Sequence, residues 1–134
     1  VNTSGEFYGT FGVLREHLTV HELPETASID VCRHLLDGMV VTVQIGASGL
    51  ADVAAGLVVW ADTLTRVRCV VWRASGCSVH LQVHGRLPDE TPVMVFSGTN
   101  YDAEVFGPDL AVGERRTILL GLLREWAAPQ EVVA

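Results

Sequence analysis

Between positions 66 and 86 the chain places Arg66, Arg68, Trp72, His80, Gln82, His84 and Arg86 at even positions of two alternating segments. Residues two apart in an extended strand share one side, so this spacing collects guanidinium, imidazole, amide and indole groups on a single surface. That is a binding chemistry. Arginine grips carboxylates and phosphates through two parallel N–H bonds, and arginine and tryptophan are the usual anchors of interfaces. The same strand spacing sets His80 and His84 about 13 Å apart, too far to share one metal ion. The surface therefore predicts docking, with an acidic protein partner or a second copy of the chain in a homodimer as occupants, and a nucleic-acid strand as the alternative. A polar face turned to water needs no partner at all. Val70 and Trp72 in its midst still call for cover, from a partner or from the N-terminal segment.

Other candidates fail on spacing or context. His17 and His21 stand one helical turn apart, with Cys32 or His34 as conceivable further ligands, but Thr19, Val20 and Pro24 predict that the helix ends there. A surface or core-edge histidine pair is expected instead of a metal site. The Gly46-Ala47-Ser48-Gly49 turn lacks the second glycine of a nucleophile elbow, since Leu50 stands there, and it lacks the lysine of a phosphate loop. Capping of the next helix by Ser48 is its expected role. The pairs Glu22 with Glu25, Asp89 with Glu90 and Asp102 with Glu104 fall in predicted loops or at helix ends. The nine basic residues are all arginine, which removes every lysine-based chemistry. No catalytic residue, cofactor or metal is expected, and the reading leans away from an enzyme, with a small enzyme whose site is assembled across segments as the third alternative.

Composition bounds the rest. A length of 134 residues, 49% hydrophobic and 19% charged, predicts one well-packed α+β domain, with Pro129 to Ala134 as a flexible tail. A net charge of −7 disfavours nonspecific binding to nucleic acid, which needs an excess of positive charge. Three cysteines without C-x-x-C spacing are expected to be buried and reduced. With no long apolar run and no signal-like start in VNTSGEFYG, a cytoplasmic protein with no membrane partner is expected.

The elements that must hold the surface follow from periodicity. Phe7, Phe11, Leu14 and Leu18 predict a first helix, and Ile29, Cys32, Leu35 and Leu36 a short second one stopped at Asp37-Gly38. Met39 to Ile45 is a strand. Leu50 through Leu64 carries the strongest helical stripe, and Ile118 to Trp126 a last one. Arg66 to Arg73 and Cys77 to Arg86 alternate around Ala74-Ser75-Gly76, and Pro92 to Ser97 adds a strand. A three-residue loop with a left-handed Gly76 pairs Val67, Cys69 and Val71 with Val83, Leu81 and Val79 on the buried side. Gly98 to Gly113 reads as a long loop. The expected fold is a mainly antiparallel sheet of about four strands packed against helices, in the order α-α-β-α-β-β-β-α.

From Leu57 through VVWADTLTRVRCVVWRASGCSVHLQVHGRLPDETPVMVF, over residues 57–96, the chain resembles small uncharacterised proteins of actinomycetes and their phages or mobile elements. In these a helix ending in a W-A-D-like segment precedes a hairpin with S-V-H-L and a G-R-x-x-x-x-x-P-V stretch. The resemblance implies such an origin and the helix-hairpin unit. It assigns no activity, so no residue role follows from it.

Overall fold

The computed structural model describes residues 3–128, so the tail expected at Pro129 to Ala134 lies outside the described residues. The elements are α1 (Thr3–Val20), β1 (Thr26–His34), β2 (Gly38–Ile45), α2 (Leu50–Ala61), β3 (Thr65–Arg73), β4 (Ser78–Arg86), β5 (Pro92–Asn100), α3 (Ala103–Phe106), β6 (Arg115–Ile118) and α4 (Leu120–Ala127). The class is α+β, but the expected sheet is wrong. Six strands form one mixed sheet in the order β1-β2-β5-β4-β3-β6. Its single parallel pair joins β2 to β5 through Val41 to Gln44 and Val93 to Phe96.

Two segments overturn the expected element order. The predicted second helix over residues 29–36 is instead β1, paired antiparallel with β2 from Thr26 opposite Ile45 to His34 opposite Gly38. Asp37-Gly38 stops a helix and turns a hairpin equally well, and Gly38 adopts φ 72 at the turn. Thr26, Ile29 and Val31 are β-branched, so local propensity sides with the strand. The second departure is β6, whose four residues are too few to show alternation and whose Ile118 belongs to the expected last helix by its spacing. The stretch read as a long loop also holds the end of β5 and the α3 turn, where the Asp102 carboxylate accepts from the Glu104 amide at 2.9 Å.

One face of the sheet carries the core. Val41, Val43, Val71, Leu81, Val83 and Val95 pack beneath Leu57 and Trp60 of α2, joined by Leu14 of α1 and Leu123 of α4. All three helices thus cover the same side. Among the described residues the N-terminal helix accordingly does not cover Trp72, because Leu14 belongs to the core and His17 lies against Trp60.

The hairpin of β3 and β4 keeps the expected faces but not the expected register. Val71 pairs with Leu81 and Cys69 with Val83, a shift of two residues. The connection is Ala74 to Cys77, closed by the Ala74 amide on the Ser78 carbonyl at 3.0 Å and by the Ser75 and Ser78 hydroxyls at 2.8 Å. Gly76 is not among the residues of positive φ. A shift of two preserves the side of every residue, so the assignment of Cys69, Val71, Val79, Leu81 and Val83 to the core holds, with Val67 partly buried.

At the far end of the hairpin the register slips between Thr65 and Arg68, so Arg66 and Val67 together face Gly85. This is a β-bulge whose first residue, Arg66, has φ 54. Gly85 makes room for it, since a Cβ there would lie 2.9 Å from the Leu64 Cβ and 3.1 Å from the Thr65 carbonyl oxygen. Neither neighbour is a flexible side-chain end. Gly85→Ala is therefore expected to destabilise the fold by about 1–3 kcal/mol, as overpacked cores do. Urea denaturation measures this, and an unchanged midpoint would show that the bulge yields freely.

Candidate functional site

The side of the sheet opposite the helices is built from the even-numbered residues of β3, β4 and β5. The pairings lay them out in rows across the strands. One row runs Asp30, Thr42, Met94, His84 and Arg68; the next runs Ser28, Gln44, Phe96, Gln82, Val70 and Thr117. A third holds Gly98, His80, Trp72 and Arg115. Arg66 and Arg86 line a hollow at the end of this side, with Arg68, His84 and Met94. The structure therefore brings all seven sequence-predicted residues, Arg66, Arg68, Trp72, His80, Gln82, His84 and Arg86, to one surface or its rim.

Several residues of this surface were not anticipated. Met94 and Phe96 continue the even-numbered alternation into β5 and were legible from the Pro92 to Ser97 run. Arg115 and Thr117 were not, because they lie in β6.

The middle of the surface is closed by its own side chains. Val70 is 6% exposed and Gln82 4%, although no helix lies above them and Val70 stands outside the core cluster. The Arg115 guanidinium lies 4.7 Å over the Trp72 ring, a cation–π contact. The Trp72 ring meets His80 nearly at right angles at 4.9 Å, and His80 stacks on Phe96 at 5.3 Å. The His84 ring nitrogen Nε2 and the Gln82 Oε1 are 2.9 Å apart, so Nε2–H donates and, in the neutral ring, Nδ1 is the acceptor nitrogen.

Charge is distributed unevenly. Arg33, Arg116 and Arg124 are ion-paired to Glu6, to Asp109 and Glu114, and to Asp62. Arg73 is a structural latch, donating to the carbonyls of Leu110 at 2.6 Å and Gly76 at 3.0 Å beneath the Tyr101 ring. Arg86 donates to the Glu90 carbonyl at 3.0 Å. Among the described residues, Arg66, Arg68 and Arg115 make no ion pair within 4.0 Å. These unneutralised arginines share the sheet surface with Asp30 at its β1 edge, and Asp37 lines the hollow at its end.

The remaining candidates resolve into structural roles. α1 continues through Val20 instead of fraying. It buries His17, which donates to the Thr63 hydroxyl at 2.8 Å, because that hydroxyl already gives its proton to the Trp60 carbonyl. His21 lies against it, ring to ring, at 4.5 Å. Among the described residues no group of three His, Cys, Asp or Glu is placed to hold a metal ion. Gly49, not Ser48, caps α2, at φ 83 and without a side-chain bond. Asp89 supports a turn, accepting from the Thr91 amide at 3.0 Å. Of the cysteines only Cys69 is buried, which raises its thiol pKa; Cys32 and Cys77 are exposed, and all three are free. No helix among the described residues is long and apolar enough to cross a membrane.

Comparison with family models, with curated proteins and with solved structures finds no match to this chain. The candidate site therefore rests on geometry and electrostatics.

Three histidines tie the protein to pH. Burial, and then neighbouring charge, holds each below its ordinary value of 6.5: His21 acts on His17, Arg115 on His80, and Arg68 and Arg115 on His84. The unfolded chain then binds more protons than the folded one at mildly acid pH. Stability is complete above the unfolded value of 6.5 and is lost as pH falls from there through the folded values. Urea midpoints are expected to be level between about pH 8 and pH 7 and to decline below about 6.5. A His80→Gln, His84→Gln double variant should flatten the decline. An equally steep decline in that variant would refute the contribution of the sheet histidines.

Proposed function

We propose that the protein is a non-enzymatic interaction module whose open sheet surface docks an acidic protein. One observation carries this reading. With the helices that reach the core on one side of the sheet, Arg66, Arg68 and Arg115 have no ionic partner among the described residues, around a half-buried Trp72, in a chain of net charge −7. Unpaired arginines beside apolar and aromatic groups are the composition of an interface centre.

Charge favours a heterologous partner over a second copy. An isologous dimer centred on the patch would set these arginines against their own copies, and like charges facing across an interface oppose binding. Ring geometry favours protein over nucleic acid. Base stacking needs a free ring face, whereas Arg115 already lies over Trp72 and His80 is stacked on Phe96. Free thiols at exposed Cys32 and Cys77 support work in a reducing compartment such as the cytoplasm. The resemblance over residues 57–96 adds an actinobacterial, phage or mobile-element origin to the proposal.

The test is affinity capture from the native cell at low and high salt, with the wild-type chain and an Arg68→Glu, Trp72→Glu variant whose folding is verified by circular dichroism. An acidic protein is expected on the wild type, released by salt and lost from the variant. Equal capture by the variant would place docking elsewhere. Retention of nucleic acid, sensitive to nuclease, would favour a nucleic-acid module instead.

A further inference from the structure

The docking surface ends, toward the turn between β1 and β2, in a hollow of about 380 Å³ lined by Arg66, Arg68, His84, Arg86 and Met94, with Asp37 also in its lining. We propose that this hollow anchors a carboxylate side chain of the acidic partner, held by Arg66 and Arg68. The inference rests on the docking reading above and names the group recognised.

Backbone cost is the independent observation. Arg66 opens the bulge at φ 54, a conformation in which the first bulge residue is ordinarily glycine. A side chain there is strained, and strain of this kind persists at ligand sites where surrounding structure enforces it. Among the described residues no ion pair repays it, since Arg66 makes none, and neither does Arg68 or Asp37. What the bulge achieves is placement: Arg66 lines the hollow beside Arg68 while Val67 turns toward the core. Gly85 opposite completes the device by leaving the space that the bulge occupies.

The hollow suits a small planar anion. Guanidinium groups present paired N–H donors matched to the two oxygens of a carboxylate. The Arg86 guanidinium is already engaged with the Glu90 carbonyl and forms a fixed wall. Met94 and the Val40 side of the hollow give the apolar stem of a glutamate or aspartate somewhere to lie.

A labelled hexaglutamate peptide serves as the probe, titrated by fluorescence anisotropy at low salt against wild type, Arg66→Gly, Arg68→Ala and Trp72→Glu, with hexalysine and oligothymidylate of equal length as controls. Loss of one charge-assisted contact corresponds to about tenfold weaker binding, expected for both Arg66→Gly and Arg68→Ala. Arg66→Gly should at the same time raise the urea midpoint, because glycine relieves the left-handed backbone. A variant that is more stable yet binds less is the signature of a residue kept for its ligand.

If Trp72→Glu weakens binding and Arg66→Gly does not, the surface docks but the hollow is not its anchor, and the inference falls while the docking reading stands. If no variant alters binding, or hexaglutamate does not bind, both fall. Tighter binding of oligothymidylate than of hexaglutamate overturns the choice of carboxylate over phosphate.

Discussion

The architecture depends on one constraint: every helix that reaches the core does so from the same side of the sheet. Alternation in β3, β4 and β5 assigns odd positions to that side and even positions to the other, and the pairings carry the division into β2 and β6. Burial of Leu57 and Trp60 against Val43, Leu81, Val83 and Val95 fixes it energetically, because a slip of one residue would turn every apolar side chain outward. A slip of two, as between the expected and the observed hairpin register, leaves the division intact. The polar surface is the necessary complement of the apolar one.

That surface is locally opposite in sign to the protein as a whole. Screening over roughly 8 Å at physiological ionic strength lets a group approaching the sheet respond to nearby arginines more than to carboxylates elsewhere. The acidic remainder still acts at longer range, repelling polyanions before they arrive and leaving specific, short-range contacts to decide what stays. Arg115 joins the two kinds of contact, covering Trp72 by its guanidinium while its charge adds to the burial that holds His80 and His84 below their ordinary pKa.

Much of the candidate site was legible in the sequence because it depends only on period two. Arg66 to Arg86 alternates strongly enough that face assignment survives an error in loop length. β1 was not legible, since Ile29, Cys32, Leu35 and Leu36 happen to fall at helical spacing while the residues themselves favour a strand. Leu35 and Leu36 cap no helix at all: they stand at the hairpin turn, fully exposed. β6 offered too few residues for any period, which hid Arg115. The bulge at Arg66 carried no local signal, because arginine stands where a glycine would have announced it.

The parallel pairing of β2 with β5 separates the fold into contacts of short and of long closure. The turn between β3 and β4 spans only Ala74 to Cys77, whereas Val41 must find Val93 across 52 positions of chain. Loop-closure entropy grows with the logarithm of that span, so the parallel contact costs about 2 kcal/mol more to close than the hairpin. The contacts of the N-terminal hairpin with the rest of the sheet must offset that cost. By that ranking Arg66, Arg68 and Arg86 belong to the local unit of β3 and β4, whereas β6 with Arg115, and the hairpin of β1 and β2 on the opposite flank, join it through closures of long span.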